Sequence, residues 1–527
     1  NALTHTSALS RRLQWQIALL FFAAVLITRL PSFFLSVLDW DESLYVLMAR
    51  QWQAGHLPYT TIWDNKPIGI YGIFVLFQTI FGDPVLAIRA ATIAAISATA
   101  FAVFRIALLI PLEGGGNPQV FAVFAGIAFI ICSVSNDGLA ANTEIFMAFF
   151  TAFAMLCALS PDFCSARPLP RGFFAGLLFG LAFMTKYVAV FEAPALAFAL
   201  LAATRGTPRA RLTACLAAAA GAAAPLLLTV LLYAATGHLR LWWDCSIAAN
   251  LLRVATPLSA DALSYVLSLQ LARWLPLFCS AAVLVCTAPL PVIAILRRKN
   301  FGRPAMFHMF LLVWLLGGSA GVAAAKLFYD HYFLQVLPVL CVTLAWVLQH
   351  FAGRLTQPVR ALVFAAILAI PCFGAGVTLM GASLPLAAAP HADTPRKIAG
   401  EMSRLPAGSP RQIYVFDYQP IIYSLAGESP PTRYAFPSVL TKCFLAHVAG
   451  VDAAAEVHRI LAGDPEFIVR SQFPLSNPTV INRAVYQEVN QDTATRYDLW
   501  RSYPDAAVYR LRPGAPPLAA AQPDACG

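Results

Sequence analysis

Apolar residues come along this chain in long blocks, not in alternation. The blocks lie near residues 15–35, 85–110, 119–135, 143–159, 172–187, 188–204, 212–236, 274–296, 304–325, 332–350 and 359–380. Most approach the ~20 apolar residues that an α-helix needs to cross a bilayer. They predict an α-helical polytopic membrane protein with about eleven transmembrane helices. The stretch between the first two blocks is polar and aromatic: LDWDESLYVLMARQWQAGHLPYTTIWDNKPIGIY, from Leu38 to Tyr71. Within it, Tyr45, Met48 and Trp52 recur at helical spacing, so 41–54 reads as a short amphipathic helix ended by Gly55. Pro67 opens a second, more apolar segment that is short for a span and is expected to lie in the interface or to re-enter.

After residue 383 the pattern changes. The stretch 384–527 begins Pro-rich, then shows strand-like runs at 412–416, 467–470 and 507–511 and a helix-like run at 453–461. It reads as a soluble α/β domain with a disordered end, GAPPLAAAQPDACG. The expected division is a transmembrane domain at 1–383 and a C-terminal domain at 384–527.

Composition sharpens this. Of 527 residues, 59% are hydrophobic and 12% charged, about half the charge of an ordinary soluble protein. The net charge of +10 does not point to nucleic acid. From His391 onward there are 13 basic and 13 acidic residues, so the excess lies in the membrane part. Its short loops carry Arg167 and Arg171, Arg205 to Arg211, Arg297 to Arg303, and Arg354 and Arg360. Alternation from an N-terminus held inside by Arg11 and Arg12 puts all of these in the cytoplasm. No small-residue cleavage site follows the first apolar block, so that helix is expected to be retained. An odd number of spans then places the tail outside, which in a bacterium is the periplasm. Most of the eleven cysteines sit in apolar blocks as small hydrophobes. Cys443 and Cys526 fall in the tail and are able to pair.

On this topology the informative residues are outer-face charges that orientation does not explain: Asp39, Asp41, Glu42, Asp64, Lys66, Asp137, Glu144, Lys186, Arg253, Lys326, Asp330 and His331. Each has a plain reading beside a chemical one. Asp39 with Glu42 three residues on reads as a helix cap, while Asp41 in the first turn is placed to take a proton from a hydroxyl. Lys66 before Pro67 is either a lysine reaching to headgroups or a cation for a phosphate. Glu144 after Asn142 and Thr143 is a capping acid or a second carboxylate for a metal or sugar. Lys186 separates two apolar segments as a turn residue does, and Arg253 is a phosphate contact or a surface residue. Lys326, Asp330, His331 and Tyr332 crowd one helix start as a site rim would. No Walker loop, dinucleotide glycine fingerprint, HExxH or GxSxG occurs. The run Gly114-Gly115-Gly116 reads as a flexible loop.

The motifs DESLYVLMARQW, AGHLPY and WDNKP in the first loop, then GLAFMTKY, then DHYFLQVLP, resemble the polytopic glycosyltransferases of the C superfamily (GT-C). The branch is the one similar to dolichyl-phosphate-mannose protein mannosyltransferases and the lipid A aminoarabinose transferase. Lys66-Pro67-Ile68 departs from the second proline of many relatives. The resemblance implies an inverting transferase using a polyprenyl-phosphate sugar donor and a cell-envelope hydroxyl acceptor, working on the periplasmic face of the bacterial inner membrane. It implies Asp41 as the catalytic carboxylate and Lys66 as the ligand of the donor phosphate. Glu42, Tyr45, Tyr59, Asp64, Glu144, Lys186, Lys326, His331 and Tyr332 are the expected substrate-binding residues. A divalent metal, Mg or Mn, remains open with Asp41 and Glu144 as candidate ligands. The alternative is a transporter or flippase of a lipid-linked anion, which would place charge at mid-membrane.

Overall fold

The computed structural model describes residues 9–111, 117–255, 274–289, 302–326, 328–352, 355–388, 393–406, 412–472 and 481–520. Gly114 to Gly116, the basic residues Arg297 to Lys299, Arg354, and Cys526 lie outside the described residues. Cys443 is held in a disulfide.

Helices follow the apolar blocks closely: Arg11–Arg29, Pro84–Ala107, Pro118–Val134, Thr143–Leu159, Pro168–Thr185, Ala193–Ala203, Pro208–Ala235, Leu275–Thr287, Arg303–Ala324, Leu337–Ala352 and Gln357–Ala388. Among the described residues, six candidate spans are long and apolar enough to cross a membrane, and shorter apolar helices accompany them. Two blocks differ from the expectation at their starts. Tyr187–Glu192 and Asp330–Gln335 are two-turn 3-10 helices, not the first turns of α-helices. The first follows Lys186 in extended backbone, and the second follows Tyr329.

The chain falls into two compact units. The first comprises 1–31, 89–232 and 257–384. Its helices approach through small residues. Gly172, Gly176 and Gly180 recur every fourth position, and a Cβ on any of them would collide with Ala214, Ala218 or Ala222 of Pro208–Ala235. Such stripes let backbones touch where lipid offers no hydrophobic drive between helices. Buried Arg29 donates to Ser133 Oγ and the Ile130 carbonyl, which ties Arg11–Arg29 to Pro118–Val134.

The second unit comprises 32–88, 233–256 and 385–527. The tail therefore packs together with the first loop, which the sequence division had placed with the membrane part. Its sheet has strands β1 (Ile413–Phe416), β2 (Phe467–Ser471), β3 (Tyr497–Ser502) and β4 (Ala506–Leu511) in the order β1-β2-β4-β3. The β1–β2 pair is parallel and the others antiparallel. Helix Ala453–Ala462 lays Val457, Ile460 and Leu461 on a core with Tyr414, Phe416, Ile468, Val485 and Val489. The expected disordered end is in part packed, since Leu518 lies against this core.

The first loop is held by the tail through main-chain acceptors. Arg50 donates to the carbonyls of Tyr423 and Glu428. The Trp63 N–H donates to the Arg433 carbonyl at 2.7 Å, and the Arg433 guanidinium donates to the Tyr59 carbonyl at 2.9 Å.

Candidate active site

The first loop forms the helix Trp40–Gln53, begun by Asp39, whose carboxylate accepts from the Asp41 N–H. Buried Glu42 accepts from the Leu38 N–H at 2.7 Å, so this acid does serve the helix start. Asp41 faces elsewhere. Its Oδ2 pairs with Lys66 Nζ at 3.2 Å and accepts from the Tyr45 hydroxyl at 3.0 Å. Tyr45 stands one turn along the same helix face, which is why it reaches the same oxygen. Lys66 also lies 5.9 Å from the centre of the Tyr45 ring.

Lys66 is positioned through its backbone. Pro67 caps the helix Ile68–Phe81 in extended conformation. The Lys66 carbonyl accepts from the Tyr59 hydroxyl at 2.6 Å. Tyr59 is fully buried and adopts a left-handed conformation at φ +71, uncommon for a non-glycine residue. Asp64 is buried, accepting from the Tyr71 hydroxyl at 2.7 Å and the Asn65 N–H at 2.6 Å. Burial pushes its carboxyl above the ordinary value, Lys66 opposes this, and Asp41 adds to it. Asp64 and Tyr59 thus support the loop that carries Lys66. Asn250, on the helix Ala249–Ala255, donates to the Asn65 carbonyl.

The first unit gathers a second polar cluster. Glu144, in the first turn of Thr143–Leu159, is buried and ion-paired with Lys186. Lys186 lies 3.9 Å from the centre of the Tyr332 ring. His331 places Nε2 3.9 Å from Glu144 and Nδ1 3.8 Å from Asp137. Asn136 donates to the Asp330 carbonyl, binding the two loops. Asp137, Lys326 and Phe328 take left-handed backbone at φ +53, +59 and +48. Strained non-glycine residues around buried charge are typical of functional loops. Glu144, Lys186, His331 and Tyr332 are thus brought together within this unit. His331 Nδ1 and the Asp137 carboxylate are the pair here that could share a metal. Asp41 and Glu144, the two ligand candidates from sequence, fall in different units.

The sequence reading missed Glu192. It is fully buried, with Oε2 accepting from Trp314 Nε1 at 2.7 Å and Oε1 from Gln335 Nε2 at 2.9 Å. An acid inside the apolar run YVAVFEAPALAFALL was the available signal, because ionisable groups in hydrocarbon are expensive to keep. Asn250 and Arg433 were missed too. They act on backbone carbonyls and leave no sequence signature.

No family model matches the sequence, and no curated protein matches it. Solved structures do. ArnT from Cupriavidus metallidurans bound to undecaprenyl phosphate superposes at TM-score 0.59 with 14% identity, covering 93% of this chain and 97% of that one. The same protein in the apo state gives 0.57 and 13%, covering 95% and 98%. The chain has the GT-C fold. The arabinofuranosyltransferase AftD from Mycobacteria also carries the GT-C fold and aligns at 0.51 and 14%, over 96% of this chain and 40% of its own.

Proposed function

We propose that the protein is an inverting glycosyltransferase. It moves a sugar from a polyprenyl-phosphate donor to a hydroxyl of a cell-envelope acceptor on the periplasmic face of the inner membrane. The observation that carries this reading is the pairing of Asp41 with Lys66 in the first loop. The undecaprenyl phosphate held by ArnT of the same fold supports the donor class.

The chemistry is economical. A sugar phosphodiester already has a phosphate leaving group at its anomeric carbon. The protein must steady the departing charge and remove the acceptor proton. A donor phosphate arriving at Lys66 competes with Asp41 for the ammonium. The carboxylate so released takes the proton of the attacking hydroxyl. Attack opposite the phosphate inverts the anomeric centre. Glu144, Lys186, His331 and Tyr332 are assigned to polar contacts with substrate, and Lys326 lies at the end of the helix leading to them. A divalent cation, Mg or Mn, held by His331 and Asp137 would add positive charge for a phosphate.

The test is transfer by the purified full chain from a radiolabelled polyprenyl-phosphate sugar to envelope extracts. Label appearing in a lipid, glycan or protein acceptor with inverted linkage supports the reading. Label crossing sealed vesicles with no acceptor product would instead establish the transporter.

A further inference from the structure

The last candidate span, Gln357–Ser383, is followed closely by the short helix Thr394–Ser403, whose two faces differ. Ile398, Ala399 and Met402 are buried. Asp393, Arg396, Lys397, Gly400, Glu401 and Arg404 lie on the other face, at the three- and four-residue spacing of one helix side. With Phe33 and Phe34 they line a groove of about 370 Å³. Phe33 and Phe34 end the first candidate span, Arg11–Phe34, and Phe34 is 61% exposed. The groove therefore joins a basic helix face to aromatic residues at the end of an apolar span.

Its charge is unbalanced. Both acids are engaged: Asp393 accepts from Ser36 Oγ at 2.6 Å and pairs with Arg396 at 3.3 Å, and Glu401 pairs with Arg501 at 2.7 Å. Lys397 and Arg404 are exposed and have no carboxylate partner among the described residues. Gly400 is among the lining residues, and an added Cβ there would meet nothing within 4 Å.

We infer that this groove binds the headgroup of an anionic phospholipid. Lys397 and Arg404 take the phosphate, and Phe33 and Phe34 contact the acyl region. Basic juxtamembrane helices attract anionic lipid through this charge complementarity, and aromatic residues settle at the same boundary. The site is independent of the proposed transfer.

The experiment is native mass spectrometry of the full chain in mild detergent, titrated with phosphatidylglycerol or phosphatidylcholine. Preferential retention of phosphatidylglycerol is expected. Lys397→Ala with Arg404→Ala should weaken it by about fivefold per cation removed. Gly400→Trp should block it with no change of charge and without lowering the melting temperature, since a helix position freed of glycine gains propensity. Equal retention of the two lipids, or unchanged phosphatidylglycerol binding in the Lys397/Arg404 variant, overturns the inference. Displacement of the lipid by millimolar inorganic phosphate alone would also overturn it, making this a site for free phosphate.

Discussion

Lys66 and Asp41 stand 25 positions apart in the chain, and their Nζ and Oδ2 atoms meet at 3.2 Å. The same carboxylate oxygen also accepts from Tyr45. A cation and a phenol therefore share one acid at the start of a helix. Two tight supports maintain this: the Asp39 cap on one side and the Tyr59 hydroxyl beneath the Lys66 carbonyl on the other.

On the proposed chemistry the three side chains should fail differently. Asp41→Asn removes the proton acceptor and should lower kcat by about 10²–10⁴-fold. Lys66→Ala removes charge aimed at the leaving phosphate and should cost about 10²–10³-fold in kcat/KM. Tyr45→Phe removes one hydrogen bond to the acid and should cost about tenfold or less. Initial rates with a polyprenyl-phosphate sugar measure all three. Wild-type turnover by Asp41→Asn would remove Asp41 as the base.

Asp64 gives a pH signature. Its carboxyl is raised by burial, so the folded chain keeps this proton at pH values where the unfolded chain has lost it. Stability from this site is thus full below about pH 3.9, the unfolded value, and declines as pH rises through the folded one. Asp64→Asn holds the neutral form at every pH. Its melting temperature should equal that of wild type near pH 4 and exceed it as pH rises, the gap levelling off once the folded carboxyl has ionised. A wild-type protein that gains on the variant as pH rises would contradict the assignment.

Much of this was legible in sequence, and the exceptions have physical causes. Helix Thr143–Leu159 appears where its apolar block does, although Asn142 at its start makes no side-chain cap and donates instead to the Asp137 carbonyl. The two-turn 3-10 segments Tyr187–Glu192 and Asp330–Gln335 fall in blocks expected to be α-helix, since hydropathy does not separate three residues per turn from 3.6. Strand β3 escaped notice because it is an edge strand with mostly exposed residues and no clean alternation. The pairing of Asp41 with Lys66 was foreseeable from an acid at a helix start and a lysine before proline. The union of the first loop with the tail was not. Arg50 and Arg433 act there on carbonyls, which every residue carries.

Glu192 should behave as a positioning residue. It joins the segment after Lys186 to the segment bearing His331 and Tyr332, through Gln335. Glu192→Ala would leave the buried Trp314 Nε1 without its acceptor, at about 1–3 kcal/mol, while Gln335 Nε2 keeps the longer bond to the Val188 carbonyl at 3.4 Å. Glu192→Gln keeps one acceptor oxygen and should lose about half as much. Thermal melts in detergent check the order. Equal melting temperatures for the alanine and glutamine variants would show that the acceptor atoms do not matter.

Glu144 and Lys186 separate stability from function. The pair is buried, with side-chain exposures of 1% and 12%. Removing one partner strands the other charge away from water, a loss of about 3–5 kcal/mol. Glu144→Gln and Lys186→Met should therefore each lower the melting temperature markedly. The double variant strands no charge from this pair, and replacing a buried ion pair by neutral groups is often nearly neutral for stability. It should recover most of the lost stability, so a thermodynamic cycle should show strong favourable coupling. If the two residues only hold helices together, transfer activity should recover along with the fold. If they contact substrate, as proposed, the double variant should be stable and still slow, by at least about tenfold in kcat/KM. A stable double variant with wild-type turnover would confine the pair to structure and leave the chemistry to the first loop.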